Sequence, residues 1–408
     1  MAYGDGSDDT ALRQAWHEFC DHLRLAGDSA FKDVNPVSPQ HRADGFRFLT
    51  QNLGQAFDLA LETRNVRFPA FHRFVTPTRK LGSDCADAVY QQAWIDGSST
   101  YRVWGRRGTA RFWNLTVQGP RPASGGLHEP FGDTPEATML GDRLVTDTDG
   151  RFELFVGGAE RGPNWLPTTS GSRKLFFRQF FDSWDEEPAD VMIERLDMDG
   201  PPSLPDPERM IEAMRWAGAF VAESIAARPE FLWRTPALCD SVAINRFNAG
   251  NLHARLSPDD AQRGRFLTQM RWSLRPDEAL ILEFEAFDGF WTLTNEAVFG
   301  NSMDHRYRPV SYAPSRTVVD QDSRIRLVMA HDDPGFANWI DTSGFEAGTL
   351  TLRVVQCLDV PTPVTRVVAT DELRAEMPRD SPRVSAAERD GQRWERFHAT
   401  ARRSGFGG

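Results

Sequence analysis

The sequence predicts a mainly β protein with helical leads (α+β), built from two duplicated, antiparallel, jelly-roll-like β-sandwich domains that are each preceded by helices. The first observation behind this prediction is an internal repeat. Three landmarks recur in the same order about 175 residues apart: Phe112–Thr116 and Phe290–Thr294, Asp147–Asp149 and Asp320–Asp322, Asn164–Trp165 and Asn338–Trp339. A long period with only loop-sized drift is the mark that a duplicated domain leaves in a sequence.

The second observation is a change in hydrophobic periodicity along the chain. Thr10–Gly27 and Asp44–Thr63 carry apolar residues at helical spacing. Residues 88–118 instead form short runs of period two, separated by Gly, Asp and Ser, which is typical of antiparallel strands. Asp206-Pro207-Glu208 predicts a further helix, with Asp as N-cap and Pro at the first helical position, and Arg228-Pro229 predicts its end.

These patterns divide the chain into five predicted segments. They are an N-terminal helical segment (residues 1–85), a first β domain (86–185), a linker with helices (186–275), a second β domain (276–358) and a C-terminal arm (359–408). The linker includes a shorter helix that begins at Ser257 and runs toward Met270. The arm is charged, with scattered Pro and Gly, so we predict that it is partly disordered.

Composition excludes several classes of function. The formal net charge of the 408-residue chain is −11, and no basic block interrupts it, which argues against nucleic acid and against an anionic membrane surface. Four cysteines lie far apart, so they indicate buried thiols in a reducing compartment. The first residues lack the features of a signal peptide, and no apolar run approaches the ~20 residues of a membrane span. The sequence therefore predicts a soluble, cytoplasmic protein.

The order of the repeated motifs resembles a bacterial family known only as domain of unknown function twelve-fourteen. In the second copy the resemblance rests on Phe290, Trp291, Leu293, Thr294, Asn301, Arg306, Tyr307, Asp322, Ser323, Asn338, Trp339 and Arg353. In the first copy it rests on Phe112, Trp113, Thr116, Asp149, Gly150, Asn164, Trp165, Leu166, Pro167 and Arg178. It covers residues 278–355 closely and residues 101–181 more loosely.

The resemblance implies a jelly-roll-like fold in proteins that are often encoded beside catabolic enzymes, and it supplies no catalytic residues. Two departures from the family pattern separate the copies. The first copy has Gly119–Pro135 where the pattern has an Asn…Arg-Tyr piece, and the second has Ile340-Asp341 where the pattern has Leu-Pro. We therefore do not expect the two copies to have equal function.

The densest group of polar residues, Asn295–Tyr312, follows a predicted strand of the second copy. General acid–base catalysis needs a base, an acid and an anion binder around one substrate. The stretch offers His305 or Asp304 as base, Tyr307 or Tyr312 as acid, and Arg306 and Arg308 as anion binders. Asn301 and Trp291 complete the predicted substrate contacts. The alternative is a solvated loop that ion pairs hold in place.

His331 is a second candidate base, because it follows another predicted strand of the same copy. The equivalent stretch of the first copy, Gly157–Glu160, has no similar chemistry, which favours a specific role for His331 over a simple turn. We predict that His305 and His331 reach one ligand. His253, His305 and His331 show no metal-ligand spacing, and no nucleotide-binding glycine loop is present, so we predict no metal and no cofactor.

Two functions remain open from the sequence. The first is a cofactor-independent acid–base enzyme of small-molecule catabolism, a lyase, hydrolase or isomerase, acting on a largely apolar or aromatic metabolite that bears oxygen groups. The 12 Trp and 28 Phe can line such a pocket, although recurrence of the Trp residues in both copies also indicates core packing. The second is a non-catalytic small-molecule-binding or assembly protein. The expected partner is a small-molecule substrate, and exposed sheet edges make a homodimer plausible.

Overall fold

The computed structural model describes residues 7–120, 133–198, 200–201, 206–234, 244–248, 265–357 and 359–405. Its helices are α1 (Ser7–Ser29), α2 (Pro39–Phe57), α3 (Pro207–Arg234), a short α4 (Leu373–Glu376) and α5 (Ala386–Ser404), with one π-helical turn at Asp58–Glu62 and one 3-10 turn at Pro314–Arg316. The first nine strands are β1 (His72–Val75), β2 (Ala88–Trp94), β3 (Tyr101–Arg106), β4 (Phe112–Gly119), β5 (Thr134–Leu140), β6 (Arg151–Val156), β7 (Trp165–Leu166), β8 (Lys174–Phe180) and β9 (Asp190–Arg195). The others are β10 (Arg246–Phe247), β11 (Arg265–Ser273), β12 (Glu278–Glu285), β13 (Phe290–Glu296), β14 (Ser311–Tyr312), β15 (Arg324–Ala330), β16 (Trp339–Asp341), β17 (Ala347–Val355) and β18 (Val364–Ala369).

The strands form two pairs of sheets with one topology. The first domain has a five-stranded sheet of order β1-β2-β8-β4-β5 and a four-stranded sheet of order β7-β6-β3-β9. The second has the orders β10-β11-β17-β13-β14 and β16-β15-β12-β18, so each strand has its counterpart nine strands later. Pairing is antiparallel except between β6 and β7 and between β15 and β16. The predicted α+β fold with duplicated β domains is confirmed.

The strand registers show that the repeated Phe-Trp motifs occupy equivalent places. Trp113 is the second residue of β4 and Trp291 the second residue of β13, and both side chains are 1% exposed. The next residue of each strand lies opposite an arginine, Arg178 on β8 and Arg353 on β17. Trp291 is therefore a core residue, and the substrate contact predicted for it stays a prediction.

The Asn-Trp motifs form the same corner in both domains. Asn338 Nδ2 donates to the carbonyl oxygens of Val318 (2.7 Å) and Arg326 (2.9 Å), and Oδ1 accepts from the Val318 amide at 2.9 Å. Asn164 makes the same three bonds to the equivalent residues of the first domain. The asparagine thus satisfies backbone groups that the turn leaves unpaired, as expected for a structural motif.

Apolar side chains from both sheets fill each sandwich. They include Val103, Trp113, Leu154 and Phe177 in the first domain, and Leu282, Trp291, Leu327 and Leu352 in the second. A further apolar cluster joins the helices to the two five-stranded sheets, with Phe19, Phe48 and Phe220 from α1, α2 and α3, and Phe180 and Phe290 from the strands. None of the described helices contains a stretch long and apolar enough to cross a membrane.

The helix starts follow the predicted capping. Asp206 Oδ1 accepts from the Arg209 amide at 2.8 Å, so Asp206 caps α3 as its sequence indicates. The predicted end at Arg228-Pro229 is wrong, because α3 continues to Arg234. A proline inside a helix removes one hydrogen bond and can leave the helix intact.

Both β domains extend beyond the predicted boundaries. β1 lies in the predicted helical segment and β9 in the predicted linker, where β9 pairs along the whole of β3. β10 and β11 precede the predicted start of the second domain, and β11 pairs with β17 over nine residues. The short helix predicted from Ser257 toward Met270 is therefore wrong at residues 265–270, which belong to β11. Its first part, residues 257–264, lies outside the described residues.

The C-terminal arm forms regular structure instead of the predicted partial disorder. β18 pairs with β12 and completes the second domain. α5 begins with a capping box of Ser385 and Glu388 and ends at Gly405, whose φ of 72° is the left-handed conformation common after helices. Its charged sequence hides the fact that Arg389, Arg396 and Arg403, spaced by seven residues, are all buried.

Candidate functional site

Two loops meet at the junction between the β domains. One follows β1 and carries Lys80 and Asp84, and the other follows β13 and carries Ser302 and His305. Ser83, whose φ is 62°, donates its amide hydrogen to the Gly300 carbonyl and so joins the loops. We refer to Lys80, Asp84, Ser302 and His305 as the junction network.

Lys80 is the centre of the junction network. Its Nζ contacts Ser302 Oγ, lies 3.2 Å from His305 Nδ1 and 3.4 Å from the Met303 carbonyl oxygen. Asp84 Oδ2 is 3.9 Å from the same nitrogen, close enough for an ion pair. The three protons of the ammonium group therefore have three acceptors and a nearby counter-charge.

Asp84 also holds the backbone and the side chain of Ser302. The Ser302 amide donates to Oδ1 at 2.7 Å, and Ser302 Oγ donates to Oδ2 at 2.6 Å. All four residues of the network are buried, with Lys80 only 2% exposed. Buried polar groups are costly unless they are satisfied, and here each one has partners.

Burial and neighbouring charge keep His305 neutral. Burial lowers the pKa of His305 well below its usual value, and the positive charge of Lys80 lowers it further. Burial also lowers the pKa of Lys80, although Asp84 opposes the shift. An ammonium group can only donate, so Nδ1 of His305 is the acceptor and the ring proton is on Nε2.

A second buried ion pair lies beside the network. Arg353 Nη2 donates to the Ser83 carbonyl at 2.7 Å and is 3.3 Å from Glu296 Oε1. Burial raises the pKa of Glu296 to about 7, although the charge of Arg353 opposes the shift. Glu296 therefore changes its protonation near neutral pH.

The predicted substrate contact Asn301 lies on the other side of the same loop. Its Nδ2 donates to Asp44 Oδ2 of α2 at 3.2 Å. Burial raises the pKa of Asp44, and the bond from Asn301 opposes this. Asn301 is buried and therefore connects the loop to the helices.

A small cavity borders the junction network. It has a volume of about 30 Å³, enough for one or two water-sized molecules. Its lining includes Arg73, Asp84, Cys85, His305 and Arg403. His305 and Asp84 are thus the members of the network that a small molecule in the cavity can reach.

The predicted base Asp304 is held in an ion pair. Arg306 Nε and Nη2 donate to its two oxygens at 2.9 and 2.8 Å, and Arg47 approaches at 3.2 Å. Burial favours a raised pKa, but the hydrogen bonds and the charge of Arg306 outweigh burial and hold the pKa of Asp304 well below its usual range. Asp304 is a weak base in this setting, and Arg306 is occupied by it.

The remaining predicted loop residues have structural or surface positions. Arg308 Nη1 is 2.9 Å from Asp341 Oδ2, and its side chain is half exposed. Tyr307 is exposed and stacks on Phe397 of α5. Tyr312 is buried and donates its hydroxyl hydrogen to the Trp339 carbonyl at 2.7 Å, so it closes the Asn-Trp corner.

His331 and His305 belong to different hydrogen-bond networks. His331 Nδ1 lies 2.9 Å from Thr342 Oγ1, and Nε2 lies 3.4 Å from the Leu274 carbonyl oxygen. The predicted shared ligand of the two histidines therefore has no support from their contacts. His253 lies outside the described residues, and within the described ranges no three His, Cys, Asp or Glu side chains converge as metal ligands.

Sequence reasoning missed Lys80, Asp84, Cys85 and Arg73. One signal was available, because lysine occurs at only three positions in a chain otherwise rich in arginine. Lys80 and Lys174 are both buried, and Lys174 pairs with Asp133 in the first domain at 2.8 Å. In this chain, the rare lysines at positions 80 and 174 indicate buried ionic networks better than the dense polar loop does.

Comparison with known proteins agrees with this architecture. Residues 86–181 match the model of a family described as "Protein of unknown function (DUF1214)". The resemblance to this family is confirmed. The match falls on the first β domain, which is the copy with the looser motif agreement.

Two solved structures are similar to the chain. An uncharacterized protein from Burkholderia cenocepacia matches with a TM-score of 0.78 and 27% identity, over 89% of this chain and 99% of its own. The VPA0106 protein from Vibrio parahaemolyticus matches with a TM-score of 0.44 and 12% identity, over 85% of this chain and 100% of its own. No curated protein matches the chain. The match to the Burkholderia cenocepacia protein therefore supports the fold, and the activity is left to be proposed from the site.

Proposed function

We propose that the protein is a cofactor-independent acid–base enzyme whose site is the cavity at the domain junction. The observation that carries the proposal is His305, a buried neutral histidine that borders this cavity with Nδ1 bound to Lys80. Nε2 is then a hydrogen-bond donor beside a fixed positive charge. Such a donor stabilises negative charge that develops on a substrate oxygen.

Asp84 supplies the proton acceptor in this proposal. It borders the same cavity, and each of its oxygens has further lone pairs beyond the bond that it accepts from Ser302. Arg73 is the cavity residue that would hold a substrate carboxylate, because a guanidinium group binds carboxylates well. This assignment moves the base from His305, Asp304 or His331, the candidates that the sequence offered, to Asp84.

The chemistry of these groups favours proton removal next to a carbonyl group. Asp84 takes the proton, the electron pair moves to the carbonyl oxygen, and His305 Nε2–H donates to the resulting enolate. Return of the proton at another carbon is an isomerase reaction, and loss of a neighbouring group is a lyase reaction. A hydrolase is less favoured, because Ser302 Oγ already donates to Asp84 and accepts from Lys80.

The size of the cavity favours a small oxygen-bearing metabolite over a large aromatic one. A volume of about 30 Å³ has no room for an aromatic ring without movement of the covering helix α5, which contributes Thr400, Arg403 and Ser404 to the lining. A role in small-molecule catabolism, a cytoplasmic location and a homodimer are part of the proposal. Buried Cys85 and the other described free cysteines agree with a reducing compartment.

A non-catalytic binding protein is the alternative, and one observation favours it. Lys80 Nζ, Ser302 Oγ, His305 Nδ1 and both oxygens of Asp84 all have partners within the protein, which is typical of a network that joins domains. In that case a ligand would bind without turnover.

The proposal is tested by proton exchange. A panel of small 2-oxo and 3-hydroxy acids is incubated with the full chain in deuterated water, and loss of carbon-bound protons is followed by NMR. Asp84→Asn and His305→Gln are expected to lower exchange by roughly 10²–10⁴, the range for losing acid–base assistance.

His331→Gln is the matched control, because His331 belongs to another network, and it is expected to keep full exchange. Melting temperature is measured for each variant to separate misfolding from lost chemistry. Ligand binding without exchange in the natural protein would favour the binding protein over the enzyme.

A further inference from the structure

Three guanidinium groups surround Trp184 at the seam between the domains and α5. The carbon at the centre of each guanidinium lies 4.0 Å from the Trp184 ring centroid for Arg316, 4.9 Å for Arg396 and 5.4 Å for Arg403. Arg316 belongs to the second β domain, Arg396 and Arg403 belong to α5, and Trp184 follows β8 of the first domain. We refer to Trp184, Arg316, Arg396 and Arg403 as the arginine seam.

The arginine seam carries more positive than negative charge. Asp87 pairs with Arg316 at 2.7 Å, and in the described part of the chain it is the one carboxylate within ion-pair distance of these arginines. Arg396 donates to the hydroxyl and carbonyl oxygens of Ser311, both at 3.1 Å, and Arg403 donates to the Ser183 carbonyl. These last acceptors are neutral, so two of the three cations have no bound counter-charge.

The nearby acidic side chains, Asp182 and Glu186, do not form ion pairs with these arginines. Asp182 Oδ1 accepts from the Ser315 amide at 2.8 Å, and Glu186 Oε2 accepts from the Asp182 amide at 2.6 Å. Burial raises the pKa of Glu186, which favours its neutral form. The two carboxylates are therefore engaged with backbone groups instead of the guanidinium groups.

The seam also contains buried donors without acceptors. Arg316 Nη1 and Arg403 Nε are buried and have no hydrogen-bond partner. Arg316 has a side chain only 7% exposed and Arg403 is 6% exposed, so solvent cannot fully supply the missing acceptors. An unpaired buried charge is among the costliest features that a folded chain can contain.

The electrostatic state of α5 agrees with a missing anion. Burial and the neighbouring charge of Arg316 together lower the pKa of both Arg396 and Arg403 to about 10. A bound negative charge would oppose this shift. The acceptor must be small, because the seam is filled by the Trp184 ring and by Phe181, 4.3 Å from the Arg403 guanidinium.

We propose that the arginine seam binds a small monoanion, chloride or a short carboxylate such as formate, between Arg316, Arg396 and Arg403. The anion would accept from the two unpartnered donors and tie α5 to both β domains. Because α5 also covers the junction cavity, an occupied seam holds that cover in place. The inference goes beyond the proposed enzyme, since it concerns an anion that takes no part in the reaction.

The test uses the full chain exchanged into a buffer with a bulky organic anion. Melting temperature is measured as chloride, formate or sulfate replaces the bulky anion at constant ionic strength. A rise that saturates is expected for chloride or formate, because a ligand that binds only the folded state stabilises it by mass action. Comparison of the three salts tells a halide site from a carboxylate site, and saturation with sulfate alone would contradict the monoanion.

Two variants decide where the anion acts. Arg396→Gln is expected to lose the saturable rise, whereas Arg393→Gln, an exposed arginine of the same helix that pairs with Asp390, is expected to keep it. A crystal grown with bromide gives an independent measurement on the natural chain, with an anomalous peak expected between Arg316 and Arg403. The proposal fails if no anion gives a saturable rise, if the rise survives in Arg396→Gln, or if chloride gives a saturable rise but bromide is absent from the seam. None of these results depends on catalytic activity.

Discussion

The two four-stranded sheets have the same strand order, but the outer face of one is exposed to solvent and the outer face of the other is buried. In the first domain, β6 alternates between exposed and buried residues, so its outer face is open to solvent. In the second domain, β15 is buried at every position after the first. Ala279, Ile281, Val328 and Trp339 there pack against Phe336, Leu373 and Met377 in an apolar cluster with the C-terminal segment.

Two copies of one fold can therefore differ in whether other parts of the chain cover their outer sheets. Trp165 and Trp339 both donate their indole hydrogen to a backbone carbonyl at 3.1 Å, yet Trp165 is half-buried and Trp339 is buried. Arg389 of α5 lies over Trp339 and binds Asp333 at 2.9 Å. The chain beyond β18 therefore converts a solvent-facing surface into a second core, and it reaches the first domain through Arg403.

Exchanging equivalent residues of the two sheets should give the largest difference in stability between the domains. Ile281 on β12 and Arg102 on β3 occupy matching positions, with Ile281 fully buried and Arg102 paired with Glu153. Ile281→Arg would bury an unpaired charge and is expected to cost roughly 4 kcal/mol or more. Arg102→Ile loses only surface pairs and should change stability by about 1 kcal/mol or less. Chemical denaturation of both variants measures the contrast, and equal costs would mean that the C-terminal cover is loose.

The two corner tryptophans give the next largest contrast. Trp339→Ala removes a buried ring and is expected to cost about 3–5 kcal/mol, whereas Trp165→Ala, at the half-buried position, should cost about 1–2 kcal/mol. Thermal and chemical unfolding provide the values. A similar loss for both would show that the shared corner, rather than the C-terminal cover, sets the contribution of these residues.

The third contrast concerns pH. Glu296 on β13 matches Gln118 on β4, and both are buried. Folding raises the pKa of Glu296 from 4.5 to about 7, so the folded state binds the proton more tightly than the unfolded state. Its contribution is fully present below about pH 4.5 and is lost as pH rises through about 7, on the order of 3 kcal/mol in total.

Glu296→Gln should therefore remove this part of the pH dependence. We expect the stability of the variant, relative to the natural chain, to increase as pH rises from 5 to 8.5. The reverse change, Gln118→Glu, should introduce a loss of stability at high pH in the first domain. A constant difference between Glu296→Gln and the natural chain over that interval would show that Glu296 stays charged beside Arg353.

The sequence predicted the parts of the fold that depend on local pattern. The repeated Phe-Trp and Asn-Trp landmarks identified equivalent strands, since each side chain fills the same place in its own domain. The apolar run Leu327–Ala330 in β15 also differs from the alternating pattern of β6, and it indicated that both faces of this strand are covered. Helix α5 was missed because three of its five buried residues are arginines, a residue type that is usually exposed to solvent.

The candidate site could not be predicted in the same way. Lys80 meets Ser302 and His305 across 222 and 225 residues of sequence, and no periodicity connects them. The sequence did indicate the polar stretch around His305. Two of its charged residues, Asp304 and Arg306, bind each other, so they are not free to bind a substrate. Which of several polar residues faces a cavity depends on the contact between the domains, and that contact has no local signature.

The smallest expected effect tests whether the loop of the second domain acts at its surface or only at the junction. Arg308 pairs with Asp341 and is half exposed, and Arg102 of the first domain pairs with Glu153 at 3.2 Å with its side chain 35% exposed. Water screens the partly exposed Arg102–Glu153 pair, so Arg102→Gln should cost about 0–1 kcal/mol, whereas Arg308→Gln leaves the buried Asp341 without its ion pair and should cost about 1–2 kcal/mol. Proton exchange in the substrate panel should be unchanged in both variants, since neither arginine borders the cavity with His305.

Normal melting with a large loss of exchange in Arg308→Gln alone would restore Arg308 as the group that holds a developing oxyanion. The site would then lie at the exposed end of the loop, and the junction network would be a purely structural link between two copies of one fold.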